Sequence, residues 1–311
     1  MTQRVRIGTR GSELALWQAN ETSRLLRDRG YDVELVIIAT TGDQRQDVPL
    51  AAIGGKGLFI KELEEALARG EIDIAVHSLK DVPSIIPEEF VLAGFLERAD
   101  PRDAWLHRSG MEISELPDGA VVGTSAPRRR AQLMQLYPHL RIEPIRGNVG
   151  TRIQKMRSGE FDGIVLANAG LTRLGRGHEV TTLFDPDTMV PAAGQGIVAF
   201  EALRDNSAAI EAAEAITHPG SAVAARSERG VLQKFGERLD CYSSVAVHTT
   251  QHDGVVKMRA FFSDYEGTQS IRTSCQAASA DEAVEQIYRD LKERGADQLI
   301  ALTNEQRAIR P

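Results

Sequence analysis

Along the first two hundred residues, short β-branched runs alternate with longer stretches whose apolar positions recur every three or four residues. The first pattern predicts strands and the second predicts helices with one buried face. Residues 5–9 read as a strand, and Ser12 stands as N-cap of a helix from Glu13 to about Arg29, closed by Gly30. Residues 33–39 read as a buried strand, 58–69 as a helix stopped by Gly70, and 73–79 and 90–96 as strands. A polar seam containing Pro101 follows at 97–103. The rhythm restarts with strand 121–124, helix 127–137, strand 141–146, helix 149–157 and strand 163–167. A second seam at 190–196 leads into a strand at 197–201. After His218-Pro219-Gly220 the pattern changes to a helix at 222–235, alternating runs at 245–249, 255–262 and 270–275, and a helix at 281–294.

The alternation predicts an α/β fold with a mainly parallel sheet. Two periplasmic-binding-protein-like lobes joined by two crossing segments would hold a ligand in the cleft between them, with a small C-terminal α+β domain beyond. A chain of 311 residues is long for one core, which agrees with several domains. Hydrophobic residues at 42% and charged residues at 26% are the balance of a globular protein. The formal net charge of −7 argues against a general nucleic-acid binder. No apolar run reaches membrane-spanning length, and the N-terminus enters a strand without a signal-peptide pattern. With only Cys241 and Cys275, the expectation is a cytoplasmic protein in which a special cysteine serves chemistry.

The basic residues narrow the chemistry. Arg128-Arg129-Arg130 falls where a strand ends and a helix begins, with Ser125 expected as N-cap and Pro127 in the first turn. Arg146-Gly147-Asn148-Val149-Gly150-Thr151-Arg152 repeats the arrangement one unit later. Guanidiniums beside helix N–H groups suit anions, and two such clusters in an acidic protein point to a small ligand with several negative charges. Lys80 and Asp81 end a buried strand and offer a cation and a carboxylate with separate roles. Gly54-Gly55-Lys56-Gly57 lacks the P-loop spacing and reads as a lid carrying Lys56. His248 and His252 fall across a strand and a turn, so no metal site is expected. Cys275 fits a small buried hydrophobe, whereas Cys241 sits in a junction loop.

These motifs resemble the porphobilinogen deaminase family over nearly the whole chain. The resemblance is carried by Thr9-Arg10-Gly11-Ser12 with Leu14 to Ala19, Gly54 to Phe59, and His77-Ser78-Leu79-Lys80-Asp81-Val82-Pro83. It continues through Asp100-Pro101-Arg102-Asp103-Ala104, Gly123-Thr124-Ser125, Arg128-Arg129, the Arg146–Arg152 run, Arg173-Leu174-Gly175 and Gly194-Gln195-Gly196. It implies three domains: 1–97 with 196–217, then 98–195, then 218–311. It also implies a transferase of porphyrin and heme biosynthesis, expected to be a monomer without nucleic-acid or membrane partners. This enzyme would condense four porphobilinogen molecules, losing ammonia each time, to hydroxymethylbilane on a dipyrromethane primer.

By the resemblance, Asp81 is catalytic and Cys241 anchors the dipyrromethane through a thioether. The other cofactor contacts are Ser78, Lys80, Thr124, Ser125, Arg128, Arg129, Arg146, Gly147 and Asn148. Substrate contacts are Arg10, Ser12, Gln18, Lys56, Phe59, Arg146, Arg152, Arg173 and Gln195. Arginine suits the work because each ring brings two carboxylates and a guanidinium grips them bidentately. The chain departs from the family at the anchor, with Leu239-Asp240-Cys241-Tyr242-Ser243-Ser244 where Gly-Gly-Cys-Gln-Val-Pro is usual. It departs again at Ser125-Ala126-Pro127, where Ser-Ser-Leu is common, and more mildly at Glu13 and Ala199. Two alternatives stand beside this reading: a bilobal anion-binding protein without catalysis, and a degenerate homologue unable to hold cofactor. The first leaves Asp81 and Cys241 unexplained.

Overall fold

The structure, a computed structural model, describes residues 3–40, 60–239 and 243–309. The chain divides into two compact units, Met1–Ala99 with Gly196–Ala225, and Asp100–Gln195 with Arg226–Pro311. The first unit opens with β1 (Arg4–Thr9), α1 (Glu13–Asp28), β2 (Asp32–Ile37), α2 (Lys61–Ala68), β3 (Ile74–Ser78) and β4 (Phe90–Phe95). The second contributes β5 (Asp103–His107), β6 (Val121–Gly123), α3 (Pro127–Leu136), β7 (Arg141–Glu143) and α4 (Val149–Arg157), then β8 (Gly163–Ala167), α5 (Asn168–Arg173) and β9 (Thr182–Leu183). The chain returns to the first unit with β10 (Val198–Leu203) and α6 (Ser207–Ala215). Helix α7 (Pro219–Phe235) runs from the first unit into the second. There β11 (Ser244–His252), β12 (Val255–Ser263), β13 (Ser270–Ala277), α8 (Ala280–Glu293) and α9 (Ala296–Ile309) complete the chain.

The two five-stranded sheets have matching orders, β2-β1-β3-β10-β4 and β7-β6-β8-β5-β9. Strand β1 is parallel to β2 and β3, and β6 to β7 and β8. Strands β10 and β5 run antiparallel to both of their neighbours. Four of the five strands in each sheet thus point the same way, as expected of a mainly parallel sheet, and one is reversed. Each reversed strand is the first made after the chain arrives from the other unit, and no crossover helix precedes it to bring the chain back to a parallel start. The expected buried strand at 33–39 also differs. Strand β2 is a sheet edge, where Val33 is buried but Ile37 is 61% exposed.

In the first unit Val5, Ile7, Ile74, Val76 and Phe200 pack between Ala19 and Leu26 of α1 and the alanines of α6. Side chains of this size contribute about 1.5–3 kcal/mol each when fully buried. In the second unit Trp105, Val122, Val165 and Leu133 form the corresponding core. The antiparallel meander β11-β12-β13 packs beneath Ile287 and Leu291 of α8 and Leu299 and Ile300 of α9. Ala131 on α3 meets Ala246 and Phe261 of that meander. Strand β5 starts at the last residue of the expected seam, and the sequence pattern predicts neither it nor α5, α6 and α9. Gly295, at φ +92°, reads as a terminus although a second helix follows it.

Candidate functional site

In the first unit, Ser12 caps α1 by accepting from the Ala15 N–H at 3.3 Å, as expected. Gln18, one and a half turns on and 2% exposed, donates to Ser78 Oγ at 2.8 Å. It thereby ties α1 to the end of β3. His77 on the same strand sits 3.0 Å from Glu201 of β10, both buried. The Leu79 N–H bonds the Ile197 carbonyl at 3.0 Å. Strand β3 then closes into a 3₁₀ turn at Leu79–Asp81. Leu79 is buried, whereas Lys80 and Asp81 face outward from that pinned turn. The Asp81 carboxylate has no protein partner among the described residues, and Arg10 is half-buried just beyond β1. Nearby, burial pushes the Glu64 carboxyl up to about 7, and the charge of Glu201 adds to the shift.

The second unit gathers the paired arginines, but not as an open cluster. Arg128 and Arg129 are 4% and 5% exposed, and both bind Asp103, the completely buried first residue of β5. Arg128 meets the carboxylate at 2.7 and 3.0 Å, and Arg129 at 2.8 and 2.9 Å. Burial alone would raise the Asp103 carboxyl. The charges of Arg128 and Arg129, with hydrogen bonds from Arg128 and Gln195, outweigh it and hold the group far below its ordinary 3.8. Asp103 belongs to the Asp100–Ala104 motif but carries no site role in the sequence reading. The available signal was one acid opening an apolar strand in a chain with three consecutive arginines downstream.

Ser125 does not cap α3. The N-cap is Ala126, without a side-chain bond, and Ser125 Oγ instead donates to the Ile145 carbonyl. Pro127 at the first helical position leaves one fewer N–H to cap, and Ser125 stands one residue too early. Thr124, 3% exposed, accepts from the Ala126 N–H at 3.4 Å. One unit later, Asn148 caps α4 by accepting from the Thr151 N–H at 2.9 Å. Gly147 has φ +109°, and a Cβ there would meet Thr151 at 2.6 Å, so this turn requires glycine. Arg152 Nε donates to the Gly147 carbonyl at 2.8 Å, which braces the turn. Arg146 is half-buried, and its guanidinium has no protein partner among the described residues. Burial lowers Arg173 to about 10.

Gln195 is completely buried, with its amide engaged at both ends by protein groups, so it has no surface to offer a substrate here. Lys56, Phe59 and Cys241 lie outside the described residues. Among the described residues no group of three or more His, Cys, Asp or Glu is placed to hold a metal ion. Cys275 is buried, and burial raises its thiol pKa, which suits a packing role. The donor set of the second unit fits an organic polyanion. Two guanidiniums share one carboxylate, so that the trio carries a formal +1, and Arg146 follows beside a glycine turn and a helix N-terminus.

Residues 5–211 match the family model described as "Porphobilinogen deaminase, dipyromethane cofactor binding domain". The porphobilinogen deaminase of Trichlorobacter lovleyi is 46% identical over 281 residues, covering 90% of this chain and 89% of that one. That of Thiobacillus denitrificans is 43% identical over 287 residues, covering 91% and 93%. Among solved structures, the methionine-binding protein MetQ covers 72% of this chain and 94% of its own at 14% identity and a TM-score of 0.45.

Proposed function

The chain belongs to the porphobilinogen deaminase family, and from that premise we propose how its residues divide the work. It is a transferase that condenses porphobilinogen head to tail, with loss of ammonia, to hydroxymethylbilane, and its cofactor is dipyrromethane. When bound, the dipyrromethane supplies the primer to which pyrrole rings are added. The observation that carries the division of labour is the sharing of one buried carboxylate by two guanidiniums, an excess of positive charge that a simple structural ion pair would not need.

Arg128, Arg129, Arg146, Lys80, Ser78, Thr124, Ser125, Gly147 and Asn148 hold the cofactor, and Cys241 attaches it through a thioether. Arg10, Arg146, Arg152 and Arg173 receive substrate carboxylates, with Ser12, Gln18, Lys56 and Phe59 around them. Asp81, a carboxylate on a pinned turn, stabilises the cation that forms on porphobilinogen as ammonia leaves and assists proton movement. Residues 1–97 with 196–217, 98–195 and 218–311 are the proposed domains. The enzyme acts in the cytoplasm as a monomer, without nucleic acid or membrane. The net charge of −7 supports the reading that nucleic acid is not a partner. No helix among the described residues is long and apolar enough to cross a membrane.

Intact-protein mass tests the reading. Purified protein should outweigh its chain by two porphobilinogen units less the ammonia lost. Cys241→Ser should lack that mass and turnover, while Cys275→Ser keeps both. Wild-type protein that stays at the bare chain mass and releases no ammonia with porphobilinogen would instead indicate a non-catalytic anion binder.

A further inference from the structure

Gln195 stands at the end of the return crossing, one residue before the chain re-enters the first unit. Its Nε2 donates to the Pro101 carbonyl at 2.6 Å and to Asp103 Oδ1 at 2.9 Å. Its Oε1 accepts from Arg128 at 2.9 Å and from Arg129 at 3.4 Å. One amide thus joins the outgoing crossing, the carboxylate and both guanidiniums. The same crossing is fastened to the arginine helix a second time. Gln132 of α3 accepts from the Val190 N–H at 2.8 Å and donates to the Val190 carbonyl at 3.1 Å, and Arg128 also donates to that carbonyl at 3.2 Å. Arg129 donates to the Val165 carbonyl at 3.2 Å.

Planar guanidiniums held on several edges cannot turn independently of their partners. Asp103 supplies charge, but one carboxylate shared by two forks does not by itself set the angle between them. The Gln195 carbonyl oxygen, reached by both, does. We infer that Gln195 is a positioning residue: it orients Arg128 and Arg129 toward an organic polyanion and makes that orientation depend on the course of the return crossing. The inference rests on the proposed role of this arginine pair in holding the dipyrromethane. It replaces the expectation that Gln195 touches substrate, since the residue has no exposed surface. It also gives the crossing a task beyond connection. A shift of residues 190–195 must drag Gln195, and with it the two guanidiniums.

The polarity of the amide is set by its surroundings. The nitrogen end faces two acceptors and the oxygen end faces two donors, so neither a flipped amide nor an apolar side chain satisfies them all. Gln195→Met retains nearly the same volume and removes all four contacts at once. Arg129→Ala leaves Asp103 with Arg128, a balanced pair, so this variant avoids a buried charge without a counter-charge.

A double-mutant cycle on cofactor loading tests the inference. Cofactor-free protein is mixed with porphobilinogen, and the appearance of loaded protein is followed by intact mass. The melting temperature of each cofactor-free variant is recorded as well. Gln195→Met is expected to slow loading about tenfold, the effect of losing a hydrogen bond to a charged group. Arg129→Ala should slow it at least as much, and the double variant, in which Arg128 still loses its Gln195 contact, should load more slowly than Arg129→Ala alone but by clearly less than the product of the two single effects. A merely structural role would lower the melting temperature equally in both backgrounds and leave the loading of folded protein unchanged. Independent, multiplying effects on loading would overturn the inference by making Gln195 a direct contact. Normal loading by folded Gln195→Met, with Arg129→Ala slow, would also overturn it while leaving the arginine role intact. Normal loading by Arg129→Ala would instead refute the arginine assignment on which the inference rests. If Gln195→Met does not fold, Gln195→Asn, which keeps an amide but withdraws it from the guanidiniums, enters the same cycle with the same expected outcome.

Discussion

Asp103→Asn would keep the side-chain shape and leave Arg128 and Arg129 buried with no carboxylate between them. In the parent, four contacts of 2.7–3.0 Å join one carboxylate to two guanidiniums, all three side chains being buried. Breaking a buried pair from one side costs about 3–5 kcal/mol. Because two cations are stranded here, the upper end applies, about 5 kcal/mol. For a unit of this size each kcal/mol moves the melting temperature by roughly 2–4 °C, so a fall of about 10–20 °C is expected. Trp105 reports the transition directly, since it is fully buried two residues along β5. The chain has two tryptophans, so a Trp17→Phe background makes Trp105 the only one. The folded carboxyl lies far below its ordinary 3.8, so its contribution is fully present above that value and is lost as pH falls through the folded value. The gap between parent and variant should therefore be level from about pH 5 to pH 8 and close only in strong acid. Replacing all three residues by Asp103→Leu, Arg128→Met and Arg129→Met should recover most of the stability without restoring cofactor loading. An Asp103→Asn protein melting within about 2 °C of its parent would refute the reasoning, because less than about 1 kcal/mol would then hold β5 to α3 through this pair.

Asp81→Asn should reduce turnover at least about a hundredfold while the protein still folds, since an amide keeps the shape but cannot offset a developing cation. Ammonia release and porphyrin absorbance after acid treatment measure it, and near-normal rates would remove Asp81 from the chemistry. Arg146→Leu with Arg152→Leu should stall elongation or loading, and normal hydroxymethylbilane formation by the pair would contradict their role. Glu64→Gln addresses stability instead. The parent carboxyl is raised from 4.5 to about 7 by burial and by Glu201, so the parent loses stability as pH rises between those values. The advantage of Glu64→Gln in urea midpoint should grow across that interval and then level off, and an advantage independent of pH would exclude the raised pKa.

Sequence periodicity alone determined the kinds of element and most of their places. The Ser12 cap, the strand before Lys80-Asp81 and the alternating runs of the C-terminal meander are local features, decided by side-chain period and capping chemistry within a few residues. The motifs from Thr9 to Gly196 determined the family for the same reason, because they are contiguous stretches of chain. The direction of β5 and β10 was not local. Each strand is reversed by where the chain comes from, and no residue within it records that. The state of the arginines was likewise decided by tertiary structure. The run at 128–130 reads as an exposed basic cluster until β5 brings Asp103 from 25 residues away and the return crossing brings Gln195 from 67. Ser125 lost its expected cap to a carbonyl 20 residues distant for the same reason. Burial turns a row of cations into an oriented pair, because in a low dielectric each guanidinium must find its partners and only the folded chain assembles them.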